Sequence, residues 1–145
     1  MLALIQRVNF TRIRIDGQLH AEIGKGLLAF VGVEALDEKP QADKLLDKLL
    51  AYRVFADADG KMNLDLASIE GELMVVSQFT LAANTRKGLR PSFSSAKSPA
   101  EAETLYEYFV NSALEKHGVV KSGKFAADMK IELENDGPVT FILQS

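Results

Sequence analysis

A chain of 145 residues, 47% apolar with 4 prolines, is long enough to bury one sizeable core, and a single domain over residues 1–145 is expected. It contains no cysteine, which excludes disulfides, thiolate nucleophiles and cysteine-ligated zinc. With 17 basic and 20 acidic residues the net charge is −3, which argues against a continuous basic face coating nucleic acid; positive charge for an RNA must be local.

At the N-terminus, Leu2, Leu4 and Gln6 alternate with Ala3, Ile5 and Arg7, and Thr11-Arg12-Ile13-Arg14-Ile15 alternates again after Val8, so two strands are expected. The opening apolar stretch meets a charge at Arg7, too early for a signal-peptide core or a membrane span, and a cytoplasmic protein is expected. Asp16-Gly17 is a two-residue hairpin signal. Gly24 and Gly26 then lead into Leu27-Leu28-Ala29-Phe30-Val31, which reads as a central strand with both faces covered.

Between Asp37 and Tyr52, Ala42, Leu45, Leu46, Leu49 and Leu50 recur at helical spacing, with Pro40 in the first turn. Asp57-Ala58-Asp59-Gly60 has the wrong spacing for a calcium loop and reads as a turn. Leu73-Met74-Val75-Val76 is a buried strand that ends at Ser77-Gln78-Phe79-Thr80-Leu81, and the polar stretch from Asn84 to Ser98 is a long loop. Pro99 starts a second helix whose apolar face is Ala102, Leu105, Tyr106, Phe109, Val110, Ala113 and Leu114, ending near His117-Gly118. The chain finishes with two alternating runs around Asn135-Asp136-Gly137-Pro138, the pattern of a terminal hairpin. Together these elements predict an α/β fold, a mixed sheet with two main helices on one side.

His20 and His117 both read as solvated histidines, so a serine–histidine–aspartate triad is not expected, and two histidines without cysteine make no zinc site; no metal or cofactor is expected. Arg86, Lys87 and Arg90 in the long loop, with Lys121 and Lys124 in a later connection, are either solvated or candidate contacts to phosphates. Ser77-Gln78-Phe79-Thr80 places polar groups directly after a buried run, as a strand end capped by its own hydroxyls or as a site.

Taken jointly, Ser77-Gln78-Phe79-Thr80-Leu81 and Asn135-Asp136-Gly137-Pro138-Val139-Thr140 resemble the two signatures of the D-aminoacyl-tRNA deacylase family. The likeness extends to Gln6-Arg7-Val8, Gly24 to Val33, Tyr52-Arg53-Val54-Phe55, Arg90-Pro91-Ser92-Phe93 and Gly123 to Met129, effectively the whole chain. The resemblance implies a layered β/β/α fold and a homodimer in which each pocket is completed by its neighbour. It implies hydrolysis of the ester of D-aminoacyl-tRNA, and of glycine mischarged on alanine tRNA, with no DNA or membrane partner.

By the same resemblance Ser77, Gln78, Phe79 and Thr80 carry catalysis, and Gly137-Pro138, in a cis peptide, selects chirality from the partner subunit. Phe125, Ala126 and Met129 form the substrate wall that meets the terminal adenine, and Arg7 braces the glycine–proline turn. Three alternatives stay open: an RNA-binding module without catalysis, a related deacylase with a trans bond and relaxed chirality, and Thr80 as a nucleophile in place of backbone N–H groups that stabilise an oxyanion.

Overall fold

The computed structural model describes residues 1–85 and 88–145. Strand β1 (Leu2–Ile15) runs unbroken through the Val8–Thr11 stretch where two strands were expected. It is one strand because both of its edges are paired: β8 (Lys130–Gln144) lies along one, and β2 (Gln18–Ile23) followed by β3 (Gly26–Gly32) lies along the other. The register is the same at Thr11↔Ile23 and at Val8↔Gly26, so β2 and β3 form one long antiparallel arm against β1. Its hairpin turn holds Asp16 at φ 51° and Gly17 at φ 77°, the left-handed pair that a two-residue loop needs to match strand twist.

At the other side of β3, β6 (Glu72–Ser77) pairs in parallel, and β7 (Val120–Ser122) pairs in parallel with β6. A Cβ on Gly26 would stand 1.8 Å from the Glu72 carbonyl oxygen, so only glycine lets β3 begin there. The two crossovers are α1 (Lys39–Leu50) and α2 (Pro99–Lys116). In α1 the Gln41 side-chain oxygen accepts a hydrogen bond from the Glu38 N–H at 3.0 Å, and Leu45, Leu46 and Leu49 are fully buried. Each such leucine contributes about 1.5–3 kcal/mol of burial.

Period-two alternation then divides the apolar residues between the sheet's two faces. Leu27, Ala29 and Val31 with Leu73 and Val75 pack beneath the helices, whereas Leu28, Met74 and Val76 join Val8, Ile13 and Ile23 on the opposite face, where Met129, Ile131 and Leu133 also pack. The sheet thus encloses a second core of its own while α1 and α2 cover the first, which is the layered β/β/α arrangement. β4 (Phe55–Ala56) and β5 (Met62–Leu64) form a small separate hairpin. At its turn the Asp57 carboxylate accepts hydrogen bonds from Asn63 Nδ2 and the Asp59 and Lys61 N–H groups; the Asn63 bond, then that from Lys61, holds it below the usual carboxylate range.

Three further expectations are corrected. The C-terminal segment is not a hairpin but the single strand β8, whose Asn135–Pro138 stretch bulges out of the ladder instead of reversing it. Leu114 is 54% exposed, because it follows Ala113 by about 100° around the helix and so leaves the buried stripe. Lys121 lies on β7, opposite Met74, rather than in a connection. No helix among the described residues is long and apolar enough to cross a membrane.

Candidate active site

Strand β6 ends at Ser77, and the Gln78 N–H makes a last bond to the Val31 carbonyl at 2.8 Å before the chain turns into a short 3-10 segment, Phe79–Ala82. That segment lies directly over the end of β3 because Gly32 has no side chain; a Cβ there would come within 2.8 Å of Leu81 Cβ. Gln78 Nε2 donates to Thr80 Oγ1 at 2.7 Å. The backbone N–H groups of Phe79 and Thr80 occupy the first turn, where a helical segment offers its donors no internal acceptor.

Outside, the Phe79 ring stacks on Phe93 with centroids 4.8 Å apart and planes 24° from parallel. The loop carrying Phe93 is tied to the same turn: Asn84 and Ser92 exchange backbone hydrogen bonds of 2.7 and 3.1 Å, and Ser95 Oγ donates to the Ala82 carbonyl at 2.6 Å. Asn84, Ser92, Phe93 and Ser95 of the long polar loop therefore pack on the strand end.

A cavity of about 340 Å³ opens beside this turn, within the size range of small-ligand sites, lined by Ser77, Gln78, Phe79, Pro99, Phe125, Ala126, Ala127 and Met129. Ala126 sits at φ 58°, a left-handed conformation that costs a non-glycine residue about 1–2 kcal/mol and recurs at ligand sites. Gly123 admits Met129 to the wall, since a Cβ would lie 2.7 Å from the Met129 sulfur. Behind the cavity the Tyr106 hydroxyl donates to the Val75 carbonyl at 3.0 Å, and its ring meets that of Phe125 at 6.0 Å. Burial pushes the Tyr106 phenol up to about 12, so it stays a neutral donor that props the wall.

The second signature is built around Arg7. Between the pairs Gln6↔Thr140 and Val8↔Asn135, β1 supplies only Arg7 while β8 supplies Asp136, Gly137, Pro138 and Val139. These extra residues form the bulge, and the Gly137–Pro138 peptide bond in it is cis. Asn135 closes its base: its Oδ1 accepts from the Val139 N–H and its Nδ2 donates to the Val139 carbonyl, each at 3.0 Å, replacing a missing strand partner. Arg7 Nε donates to the Asp136 carbonyl at 2.8 Å and lies 3.1 Å from its carboxylate, while Nη1 donates to the Val54 carbonyl at 2.6 Å. Gln6 Nε2 donates to Thr140 Oγ1 at 3.1 Å. Gly137 and Pro138 are exposed at the crest and do not line the 340 Å³ cavity.

The first signature thus leaves the end of β6 and the second lies within β8 of the same sheet, and a family model described as D-Tyr-tRNA(Tyr) deacylase matches residues 4–144. The chain belongs to the D-Tyr-tRNA(Tyr) deacylase family. It is 56% identical over 144 residues, 99% of both chains, to a D-aminoacyl-tRNA deacylase of Cellvibrio japonicus (strain Ueda107). To the protein of the same name from Haemophilus influenzae (strain 86-028NP) it is 55% identical over 143 residues, again 99% of each. Among solved structures, one named as the c-Myc DNA Unwinding Element Binding Protein superposes with a TM-score of 0.96 at 33% identity, covering 100% of this chain and 99% of that one. A probable eukaryotic D-amino acid tRNA deacylase, at 14% identity and a TM-score of 0.81 over 99% and 98% of the chains, shares the fold.

Within this deacylase fold the expected residues separate into three groups. Ser77, Gln78 and Phe79 meet Phe125, Ala126 and Met129 around one cavity, with Thr80 bonded to Gln78 just outside it. Gly137, Pro138 and Arg7 gather at the bulge. Of the expected phosphate contacts, Arg86 and Lys87 fall outside the described residues, Arg90 is exposed in the loop, and Lys121 is exposed on β7. Lys124 lines a second, larger cavity that shares Phe125 with the first. Two residues of the site escaped sequence reasoning: Ala127, and Pro99, whose only sequence signal is the start of a helix.

His20 is exposed on β2, and His117 Nε2 lies 2.7 Å from the Gly71 carbonyl at the end of α2. Neither lines the site cavity.

Proposed function

We propose that this chain, acting as one unit over residues 1–145, hydrolyses the ester joining a D-amino acid to the terminal ribose of tRNA and releases free D-amino acid and tRNA. The observation that carries the mechanism is the Gln78–Thr80 bond: the Thr80 hydroxyl receives a hydrogen bond from an amide N–H, a group that cannot take its proton, and no carboxylate or imidazole bonds it among the described residues. In this reading Thr80 is not the nucleophile. Water attacks the ester carbonyl carbon, the bond from that carbon to the ribose oxygen breaks, and the ribose oxygen leaves with a proton; the vicinal ribose hydroxyl assists. The N–H groups of Phe79 and Thr80 donate to the developing oxyanion, and Gln78 orients the ester. Phe125, Ala126 and Met129 receive the terminal adenine.

Chirality is read by backbone atoms. The carbonyls of the Gly137-Pro138 segment accept the ammonium of the D-residue and leave no space for an L side chain, so side-chain identity goes unread and glycine mischarged on alanine tRNA also enters. These carbonyls come from a second copy of the chain. Two features support that reading: Gly137 and Pro138 stand apart from the cavity of their own chain, and the neighbouring sheet face carries Ile142, 68% exposed, beside the half-buried Leu4 and Phe30 across β8, β1 and β3.

A second reading, nucleic-acid binding without cleavage, is favoured by the name of the structural neighbour that binds a DNA element. Release of D-tyrosine from D-tyrosyl-tRNA by the wild type and by Thr80→Ala tests both. Release by both proteins is expected, with the variant within about tenfold of wild type, the cost of one neutral hydrogen bond. Binding without release by the wild type identifies the module, and loss of several thousandfold in the variant alone identifies Thr80 as the nucleophile.

A further inference from the structure

The second cavity, about 490 Å³, lies between α2 and the segment that follows β7 and shares Phe125 with the site cavity. One wall is a polar stripe of α2: Glu103, Glu107 and Asn111, each four residues from the next and so on one helical face. The facing wall carries Ser122 and Lys124. Among the described residues none of these side chains forms a hydrogen bond or ion pair with another residue, and Glu103 and Glu107 are like charges at a spacing that weakens a helix. The groove therefore sets two carboxylates and an amide on one side against a hydroxyl and an ammonium on the other, and it shares Phe125 with the site cavity.

We infer that this groove binds the cytidine that precedes the terminal adenosine in the single-stranded acceptor end, an inference that rests on the deacylase reading above. Two carboxylates repel a phosphate from the helical wall, so the occupant must present donors there. A base with an exocyclic amine does so, and carboxylates pair with the cytosine amine. The adjacent ring nitrogen and carbonyl oxygen of cytosine are acceptors, which Asn111 and Lys124 complement, while Phe125, shared by both cavities, supplies an aromatic ring beside the base. Uracil inverts the first two positions of that edge. With adenosine held in the site cavity, the groove that shares Phe125 with it is the adjacent place for the next nucleotide of the acceptor end.

The test compares kcat/KM on three D-tyrosyl substrates: the adenosine ester alone, an acceptor-stem minihelix ending in two cytidines and adenosine, and the same minihelix with uridine before the adenosine. The wild type is expected to favour cytidine over uridine about tenfold, the worth of one good base-edge pair. Glu103→Gln with Glu107→Gln, whose amides accept and donate alike, should bring that ratio near one and lower the minihelix-to-adenosine ratio about tenfold. Equal use of cytidine and uridine by the wild type overturns the inference, as does a double variant that keeps both wild-type ratios. No release from any substrate by the wild type overturns the deacylase reading, and the subsite with it.

Discussion

Gly137→Ala is expected to remove hydrolysis of D-aminoacyl-tRNA by at least about a hundredfold while the protein stays folded. A Cβ at this position would stand 2.0 Å from the Val139 nitrogen and 3.0 Å from both Asn135 Oδ1 and Val139 Cγ2, so the bulge must change shape to admit it. Those contacts are the bracket by which Asn135 holds the crest, and a shift of about 1 Å in a substrate-positioning group costs on the order of a hundredfold in rate. The core does not feel the change: Gly137 is exposed, and the nearest buried residue of β8 is Leu143. Far-ultraviolet circular dichroism unchanged alongside lost activity is the expected pair of readings. Wild-type activity in the variant would show that the crest does not touch the substrate.

Arg7→Ala should produce a similar loss of activity with a cost in stability as well. Its side chain, only 15% exposed, joins the bulge to the segment before β4 through guanidinium bonds to the Asp136 and Val54 carbonyls. Removal leaves two partly buried carbonyls without their charged donor, at about 1.5–3 kcal/mol for a bond to a charged group. Arg7→Lys should not rescue either property, because a single ammonium on a flexible stem cannot hold two divergent acceptors as the planar fork does. Thermal unfolding and kcat/KM on D-tyrosyl-tRNA check both claims; a lysine variant equal to wild type would reduce Arg7 to a plain surface charge.

What was legible in the chain differs by element for a physical reason. Strong periodicity over ten or more residues marked both helices, and uninterrupted apolar runs marked β3 and β6, because burial on one or both faces leaves a repeating trace. Val120-Lys121-Ser122 is too short to leave one, so β7 is visible only once β6 offers an edge. The Asn135–Pro138 stretch misled local reasoning: these residues favour reversal, yet pairing of both flanks with β1 holds the strand straight, and Asn135 bonds Val139 across the bulge.

The candidate site divides in the same way. Polar residues placed after Leu73–Val76 pointed to a strand end that ordinary burial explains poorly, and Ser77, Gln78 and Phe79 do line a cavity. Arg7 and Asp136, by contrast, are 129 positions apart, and no local pattern announces that contact; only the resemblance suggested it. Pro99 and Ala127 enter the wall through the packing of α2 and the 126–129 segment, which no spacing rule reports.

The most direct test of chirality proofreading by backbone atoms is the release of amino acid from D-tyrosyl-tRNA, L-tyrosyl-tRNA and glycyl-tRNA(Ala) by the same preparation. Release of D-tyrosine and glycine, with L-tyrosine retained at the uncatalysed rate, is the predicted result. Release of L-tyrosine at a rate comparable to D-tyrosine would contradict it.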